Sequence, residues 1–335
     1  MTKGQKQGLI ALLLAITAAI LLVVEREQPQ ADMQYFAHQG RIFGTYYNIR
    51  YEATTNLEAD IQAALQEFDN SLSMFNEQST LSRINRHETQ QTDIYFDSMY
   101  AVANEVYAIS EGAFDITVAP LVNLWGFGLK NRADVTADQV NTLLPLVGMD
   151  KVQVINQCCY LPEGMMLDCG AIAKGQACDV IAARLKDNGC TNYLVDIGGE
   201  VVAKGLNSHG EPWKIGITKP EDDTTGIKNN IHRVVESTNI AMATSGNYRN
   251  FYYDGEQKRS HTIDPRTGYP VSHTLLSATV VSGSCMRADA FATACMVLGP
   301  AQAIQMIEQT TNTECYLIIA EADTLRTITS SGWNL

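Results

Sequence analysis

The spacing of apolar residues changes along this 335-residue chain, and that change limits the fold more than any single motif. In the first third, Leu57, Ile61, Leu65, Phe68, Leu72 and Phe75 recur three or four apart, the period of an amphipathic helix. A second helix is expected from about residue 97 to 110, stopped by Gly112. A third is expected over 137–144, with Thr136 as its N-cap and Pro145 closing it. Ahead of these, RIFGTYYNIRYE (41–52) reads as a strand. After residue 150 the period falls to two. KVQVI (151–155) and MMLD (165–168) read as short strands, followed by a helix that runs to Lys186 and ends at Gly189. TNYLVDIGGEVVAKG (191–205) reads as two strands broken at Gly198 and Gly199, and WKIGIT (213–218) as another. From Ile240 to Val281 the pattern is strand, turn, strand, with turn signals at Asp254–Gly255 and at Pro265 to Gly268. A helix over about 287–298 and one more helix precede the strand CYLIIA (315–320). Helices early and strands late give an α+β class with a mixed or mostly antiparallel sheet.

No repeat and no Pro/Gly/Ser-rich linker divides the body, so residues 31–335 are expected to form one domain behind a separate segment, 1–30. That segment has Lys3 and Lys6, then the run LIALLLAITAAILLVV (9–24), whose only non-apolar member is Thr17. A short basic start and such a run form an export signal or a short membrane anchor. The run is shorter than the roughly 20 residues that span a bilayer comfortably, and no clean A-x-A site follows. A retained anchor is therefore expected, with the lysines on the cytoplasmic side and the body exported. Acidic residues outnumber basic ones 37 to 24, a formal charge of −13, which excludes general nucleic-acid binding. None of the eight cysteines forms C-x-x-C, so a zinc site is not expected, and the sequence does not pair them.

Four clusters carry candidate chemistry. In EGAFDITVAPLVNLWGFG (111–128), Asp115 either caps the next helix or faces a ligand. In LDCGAIAKGQACD (167–179), a strand ends at Asp168 and Gly170–Ala171 open a helix. Its amino terminus and Lys174 suit a phosphate, or else mark ordinary strand–helix packing. In ATSGNYRNFYYDGEQKRSHTIDPRTGYP (243–270), Thr244, Ser245 and His261 put hydroxyls and an imidazole near a strand pair, where a lone histidine is also a common structural residue. In RADAFATACMVLG (287–299), Asp289 and Thr293 lie four apart on one helix face. That pair suits a hard cation such as Mg²⁺, or is a cap and a back-bonded hydroxyl.

These clusters, in this order behind a membrane-targeting start, resemble the ApbE family of FAD:protein FMN transferases over about residues 38 to 332. The strings GAFDITVAPLVNLWGFG, GAIAKG, DIGGE, ATSGNYRN, SHTIDPRTGYP and ADAFAT carry the resemblance together. It implies a two-lobed α+β fold with a flavin cleft, and transfer of FMN from FAD to a threonine or serine hydroxyl of a target protein, releasing AMP. It further implies that Ala113, Phe114, Asp115, Asp168, Lys174 and Ile263 line the flavin nucleotide. The rings of Phe43, Phe75 and Phe114 suit a planar isoalloxazine if they converge on the cleft. Asp289 and Thr293 are then the Mg²⁺ ligands, with carbonyl oxygens of Ala171 and Ala292 completing the protein shell. His261 becomes the general base, and Asp289 joins it as a catalytic residue. The implied partners are flavinylated subunits of sodium-pumping NADH:quinone reductase or RNF-type complexes, reached from the periplasmic side of a bacterial inner membrane.

The chain departs from the family pattern at three places. Phe43 stands where relatives often have methionine, Ser73–Met74–Phe75 replaces an S-T-Y segment, and Ala292 stands where some relatives carry a second aspartate. The nearest acceptor-like string, DPRTGYP (264–270), departs from the acceptor pattern at its last two positions, so self-flavinylation is not expected. Two rivals use the same residues: an FAD pyrophosphatase with water as acceptor, and a non-catalytic flavin binder that needs neither metal nor His261.

Overall fold

The computed structural model describes residues 3–4, 32–128, 134–222, 230–248, 250–255, 257–322 and 324–335. Tyr35–Leu335 forms one compact unit. No helix among the described residues is long and apolar enough to cross a membrane. The run 9–24, on which the anchor expectation rests, lies outside the described residues.

The strand read at 41–52 is a hairpin. β1 (Gln34–Ile42) and β2 (Thr45–Ala53) are joined by Phe43 and Gly44, both at positive φ, 52° and 74°. Two positive angles define the tight hairpin turn whose twist matches its strands, and Phe43 takes one of them against its own preference. Helix α1 (Glu58–Leu72) follows the predicted stripe, burying Ile61, Leu65, Phe68 and Leu72. After α2 (Thr80–Asn85), α3 (Ile94–Ile109) begins earlier than expected, because the Asp93 carboxylate caps the amides of Tyr95 and Phe96. A short 3-10 turn (Ile116–Val118) leads into α4 (Ala119–Leu124). α5 (Ala137–Leu143) starts at a full capping box between Thr136 and Gln139.

β3 (Gln153–Ile155) pairs with β4 (Cys158–Tyr160), while residues 165–168, read as a strand, form none. Asn156 and Gln157, at φ 52° and 58°, turn the chain at once, so the partner is the adjacent segment. α6 (Ala173–Asp187) lies in the sequence between β4 and β5 (Tyr193–Ile197). β6 (Glu200–Lys204) follows, then the hairpin β7 (Trp213–Thr218) and β8 (Ile231–Ser237). β9 (Asn239–Gly246), the short hairpin β10 (Phe251–Asp254) and β11 (Gln257–Ser260), and β12 (Leu275–Val281) come next. α7 (Cys285–Leu298), α8 (Pro300–Glu308), β13 (Glu314–Glu321) and β14 (Thr324–Thr329) complete the chain.

Eight of these strands build one sheet in the order β1-β2-β5-β6-β9-β12-β13-β14, with antiparallel register throughout from β2 onward. The class is α+β. Period-two alternation gives the sheet two faces. In β2, Tyr47, Ile49 and Tyr51 enter the main core with α1, α6 and α7. On the other face Val201, Ala203, Ile240 and Met242 pack under Trp213, Ile215 and Val235 of the β7–β8 hairpin.

α6 and α7 cross closely at Gly175. A methyl group there overlaps the Cys285 carbonyl and comes within 2.8 Å of the Asp289 Cβ. Overpacking of a close crossing costs about 1–3 kcal/mol. We expect Gly175→Ala to lower the thermal unfolding midpoint despite alanine's better helix propensity; an unchanged midpoint disproves the tight crossing.

Candidate active site

The close crossing at Gly175 joins two helix termini through side chains. The first amides of α7, Cys285 N and Met286 N, each donate at 2.9 Å to one oxygen of Asp179 on α6. In return Gly175 N, in the first turn of α6, donates at 3.0 Å to Asp289 Oδ2 on α7. Each helix thus takes the orphan amides of the other with a carboxylate, which also suits the positive end of each dipole. This corrects the expectation of an open phosphate site at the start of α6. Gly175 N is committed to the chain's own Asp289. Ile172 N and Ala173 N both bond to the Cys169 carbonyl.

Lys174, one residue away, places its ammonium 3.2 Å from Glu200 Oε1 and 3.7 Å from Asp289 Oδ2. Its Nζ also reaches the Gly170 carbonyl at 3.3 Å. Desolvation pushes the lysine pKa down, and the two carboxylates together outweigh it and raise it. Burial raises Glu200 to about 8 against the pull of Lys174. Burial also raises Asp289, with Lys174 and the Gly175 amide opposing. Glu200 Oε2 is buried without a partner among the described residues. One turn beyond Asp289, Thr293 Oγ1 lies 3.1 Å from Ser245 Oγ at the end of β9.

His261 follows β11 and is partly exposed. Its Nδ1 lies 2.9 Å from the Asn250 carbonyl. A carbonyl only accepts, so Nδ1 carries the proton and Nε2 holds a free lone pair in the neutral ring. Burial lowers the imidazole pKa, against the Asn250 contact.

These groups face a common cavity of about 390 Å³. Ala113, Phe114, Asp115, Asp168, Ala171, Lys174, His261, Ile263, Asp289 and Thr293 all line it. Ten of the sequence candidates are therefore brought together. Asp115 is both a cap and a wall of the cavity. Its Oδ1 accepts from the amide and hydroxyl of Thr117 at 2.7 and 2.6 Å, capping the 3-10 turn, and Oδ2 accepts from Met149 N at 3.3 Å. Burial raises its pKa against those bonds. Phe43 and Phe75 line a neighbouring aromatic cavity of about 260 Å³ with Phe68. The two spaces share Phe127, Asp168, Gly170 and Lys174. Ala292 is fully buried inside α7 and is not among the residues that line the cavity.

Sequence reasoning missed Glu200, Asp179, Asn250 and Phe127 as members of this arrangement. Glu200 sits in the quoted string DIGGE and Asp179 ends LDCGAIAKGQACD, so the signal was an acid at the first position of an apolar strand and one four residues after Gly175. No group of three or more His, Cys, Asp or Glu gathers into a metal cage among the described residues. The donor set of one ionisable carboxylate beside two hydroxyls still fits Mg²⁺, which binds through few carboxylates and completes its shell with waters and phosphates. All eight cysteines are free thiols, seven of them buried.

A model of the ApbE family matches residues 43–317. The FAD:protein FMN transferase of Vibrio cholerae serotype O1 is 35% identical, over 88% of this chain and 90% of its own. Among solved structures, the flavin transferase ApbE from Vibrio cholerae superposes with a TM-score of 0.80 at 34% identity, covering 90% of this chain and 98% of that one. The apo form of Pseudomonas stutzeri flavinyl transferase ApbE gives 0.79 at 30% identity, over 89% and 95%.

Burial raises Asp179 to about 6 against its two amide bonds. A raised folded value means that its contribution to stability is full below the unfolded value near 3.8 and is lost as pH rises through about 6. Asp179→Asn cannot ionise. Chemical unfolding at several pH values should therefore show wild type losing stability relative to this variant between pH 4 and 6. Parallel profiles disprove the assignment.

Proposed function

The chain belongs to the ApbE family, and on that premise we propose that it is an FAD:protein FMN transferase, moving the FMN half of FAD onto an acceptor hydroxyl with release of AMP. The observation that carries this reading is the meeting of Lys174, Asp289, Thr293 and the unprotonated Nε2 of His261 around one cavity. Pyrophosphate cleavage needs positive charge on its oxygens and a base for the incoming hydroxyl, and these residues offer both.

The acceptor oxygen attacks the FMN-side phosphorus, the bond from that phosphorus to the bridging oxygen breaks, and AMP leaves. His261 Nε2 takes the hydroxyl proton, while the Asn250 carbonyl holds the ring in the tautomer that permits this and favours the imidazolium that forms. Lys174, kept charged by Glu200 and Asp289, adds a fixed cation beside the phosphates. Asp289, Thr293 and Ser245 are the side chains to hold Mg²⁺, with Ala171 also lining the cavity. When bound, the ion supplies charge neutralisation that a chain of net charge −13 cannot provide from its surface. The aromatic cavity of Phe43, Phe68 and Phe75 suits the isoalloxazine. Phe75 gives a ring without a hydroxyl, so stacking replaces any hydrogen bond there.

The acceptors in this reading are subunits of sodium-pumping NADH:quinone reductase or RNF-type complexes. The body works on the periplasmic face of a bacterial inner membrane, held by the amino-terminal segment. The basic, apolar character of residues 3–24 supports that placement.

The test mixes the protein with FAD, Mg²⁺ and a threonine-bearing acceptor domain of such a reductase, then looks for flavin fluorescence on the denatured acceptor band. A band that chelator abolishes is expected. His261→Ala should lower transfer by about 10²–10⁴-fold, and Asp289→Ala should abolish the metal requirement together with the activity. The base must be neutral and burial lowers its pKa, so kcat/KM should rise with pH only below about 6.5 and be flat at neutrality. AMP release with a dark band points to a pyrophosphatase, and neither product to a flavin binder.

A further inference from the structure

A transferase with a protein substrate needs a second binding surface, and the sheet carries one on the face away from the catalytic helices. There a cleft of about 710 Å³ has the outward residues of β2 and β5 as its floor and the β7–β8 hairpin as a wall. The floor follows from strand alternation. Tyr47, Ile49 and Tyr51 point into the core, so Tyr46, Asn48 and Arg50 point into the cleft, next to Leu194 and Asp196.

The cleft runs into the catalytic cavity. Both are lined by Gly198, Thr244 and Tyr248. The rim between them is the β5–β6 turn, where Gly198 and Gly199 take φ of 70° and 104°. A Cβ on Gly199 meets nothing within 4 Å, and one on Gly198 lies 3.2 Å from Lys174 Cδ. The rim is therefore open at Gly199 and lies against the Thr45 and Lys174 side chains at Gly198. Through Phe127, Asp168, Gly170 and Lys174 the cavity also opens to the aromatic space, and that space shares Phe75 and Asp168 with a further cavity of about 540 Å³. If those two spaces take FAD, the cleft is left as the approach for the attacking hydroxyl. In-line displacement requires the nucleophile to enter opposite the leaving AMP.

We infer that this cleft is the docking site of the acceptor protein, whose hydroxyl-bearing segment lies extended along β2 and crosses the Gly198–Gly199 rim into the cavity. The inference rests on the transferase reading above. Arg50 sets the charge preference. It is exposed and has no ion pair among the described residues, in a chain whose net charge is −13. It stands four residues from Tyr46, about 13 Å along the strand, and Tyr46 itself accepts from Gly198 N at 3.0 Å. An acceptor carrying carboxylates beside its reactive hydroxyl is favoured.

The full chain, FAD, Mg²⁺ and the same reductase acceptor domain test this with Arg50→Ala, Arg50→Glu and Leu194→Glu. Three quantities are measured: KM for the acceptor, kcat at saturating acceptor, and FAD affinity from flavin fluorescence. We expect the acceptor KM to rise at least about 10-fold for Arg50→Glu and less for Arg50→Ala, with kcat and FAD affinity within about twofold. Added salt should raise the acceptor KM of wild type and leave that of Arg50→Ala nearly unchanged. Arg50 is at the surface, so its variants keep the test open if Leu194→Glu fails to fold. An unchanged acceptor KM overturns the docking site, as does a loss of FAD affinity equal to the rise in KM, which assigns the cleft to FAD. A wild type that labels no acceptor removes the transferase reading, and the docking site falls with it.

Discussion

Two carboxylates hold two helices by each other's ends, and the site depends on that arrangement. Asp179 takes the first amides of α7, and Asp289 takes an amide in the first turn of α6. Each acid stands four residues from its helix's own contact point, Gly175 or Cys285, so the helices must run antiparallel and in one register. The contact is possible only because residue 175 has no side chain. Sliding either helix by a turn breaks both sets of bonds together. Asp289 is therefore fixed before any ligand arrives, with Lys174 and Thr293 placed by the same two helices.

That arrangement also explains how an acidic protein handles a pyrophosphate. The positive end of α6 is spent on Asp289, and Lys174 is shared between Asp289 and Glu200. Glu200 keeps one carboxyl oxygen, Oε2, buried without a partner among the described residues. The sheet behind the site separates the chemistry from the other face, and the two sides meet at the glycine turn between β5 and β6.

Much of this was legible in one dimension. The helical stripe of α1, the capping box of α5, the break at Gly198–Gly199 and the pair Asp289–Thr293 all depend on residues a few positions apart, where spacing fixes geometry. Asp115 shows the limit of such reading. Its two meanings, cap and cavity wall, proved compatible, because the bonds that cap the 3-10 turn hold the acid at the cavity edge. Local reading failed at two turns where most of the positive-φ residues are not glycines. The turns at Phe43–Gly44 and Asn156–Gln157 lie inside runs whose apolar pattern continues across them, and only one of the four residues is a glycine to signal the break.

The sequence by itself determined the class, most of the elements and the cluster of side chains that meet in the cavity, since periodicity and motif order are properties of the chain. The tertiary structure alone decided the roles of Asp179 and Glu200 and the tautomer of His261. Asp179 meets its partners 106 and 107 residues away, and His261 meets Asn250 across a hairpin. Such contacts are selected by packing in three dimensions, where burial, the lack of a side chain at Gly175 and the direction of a carbonyl decide which polar atoms face each other.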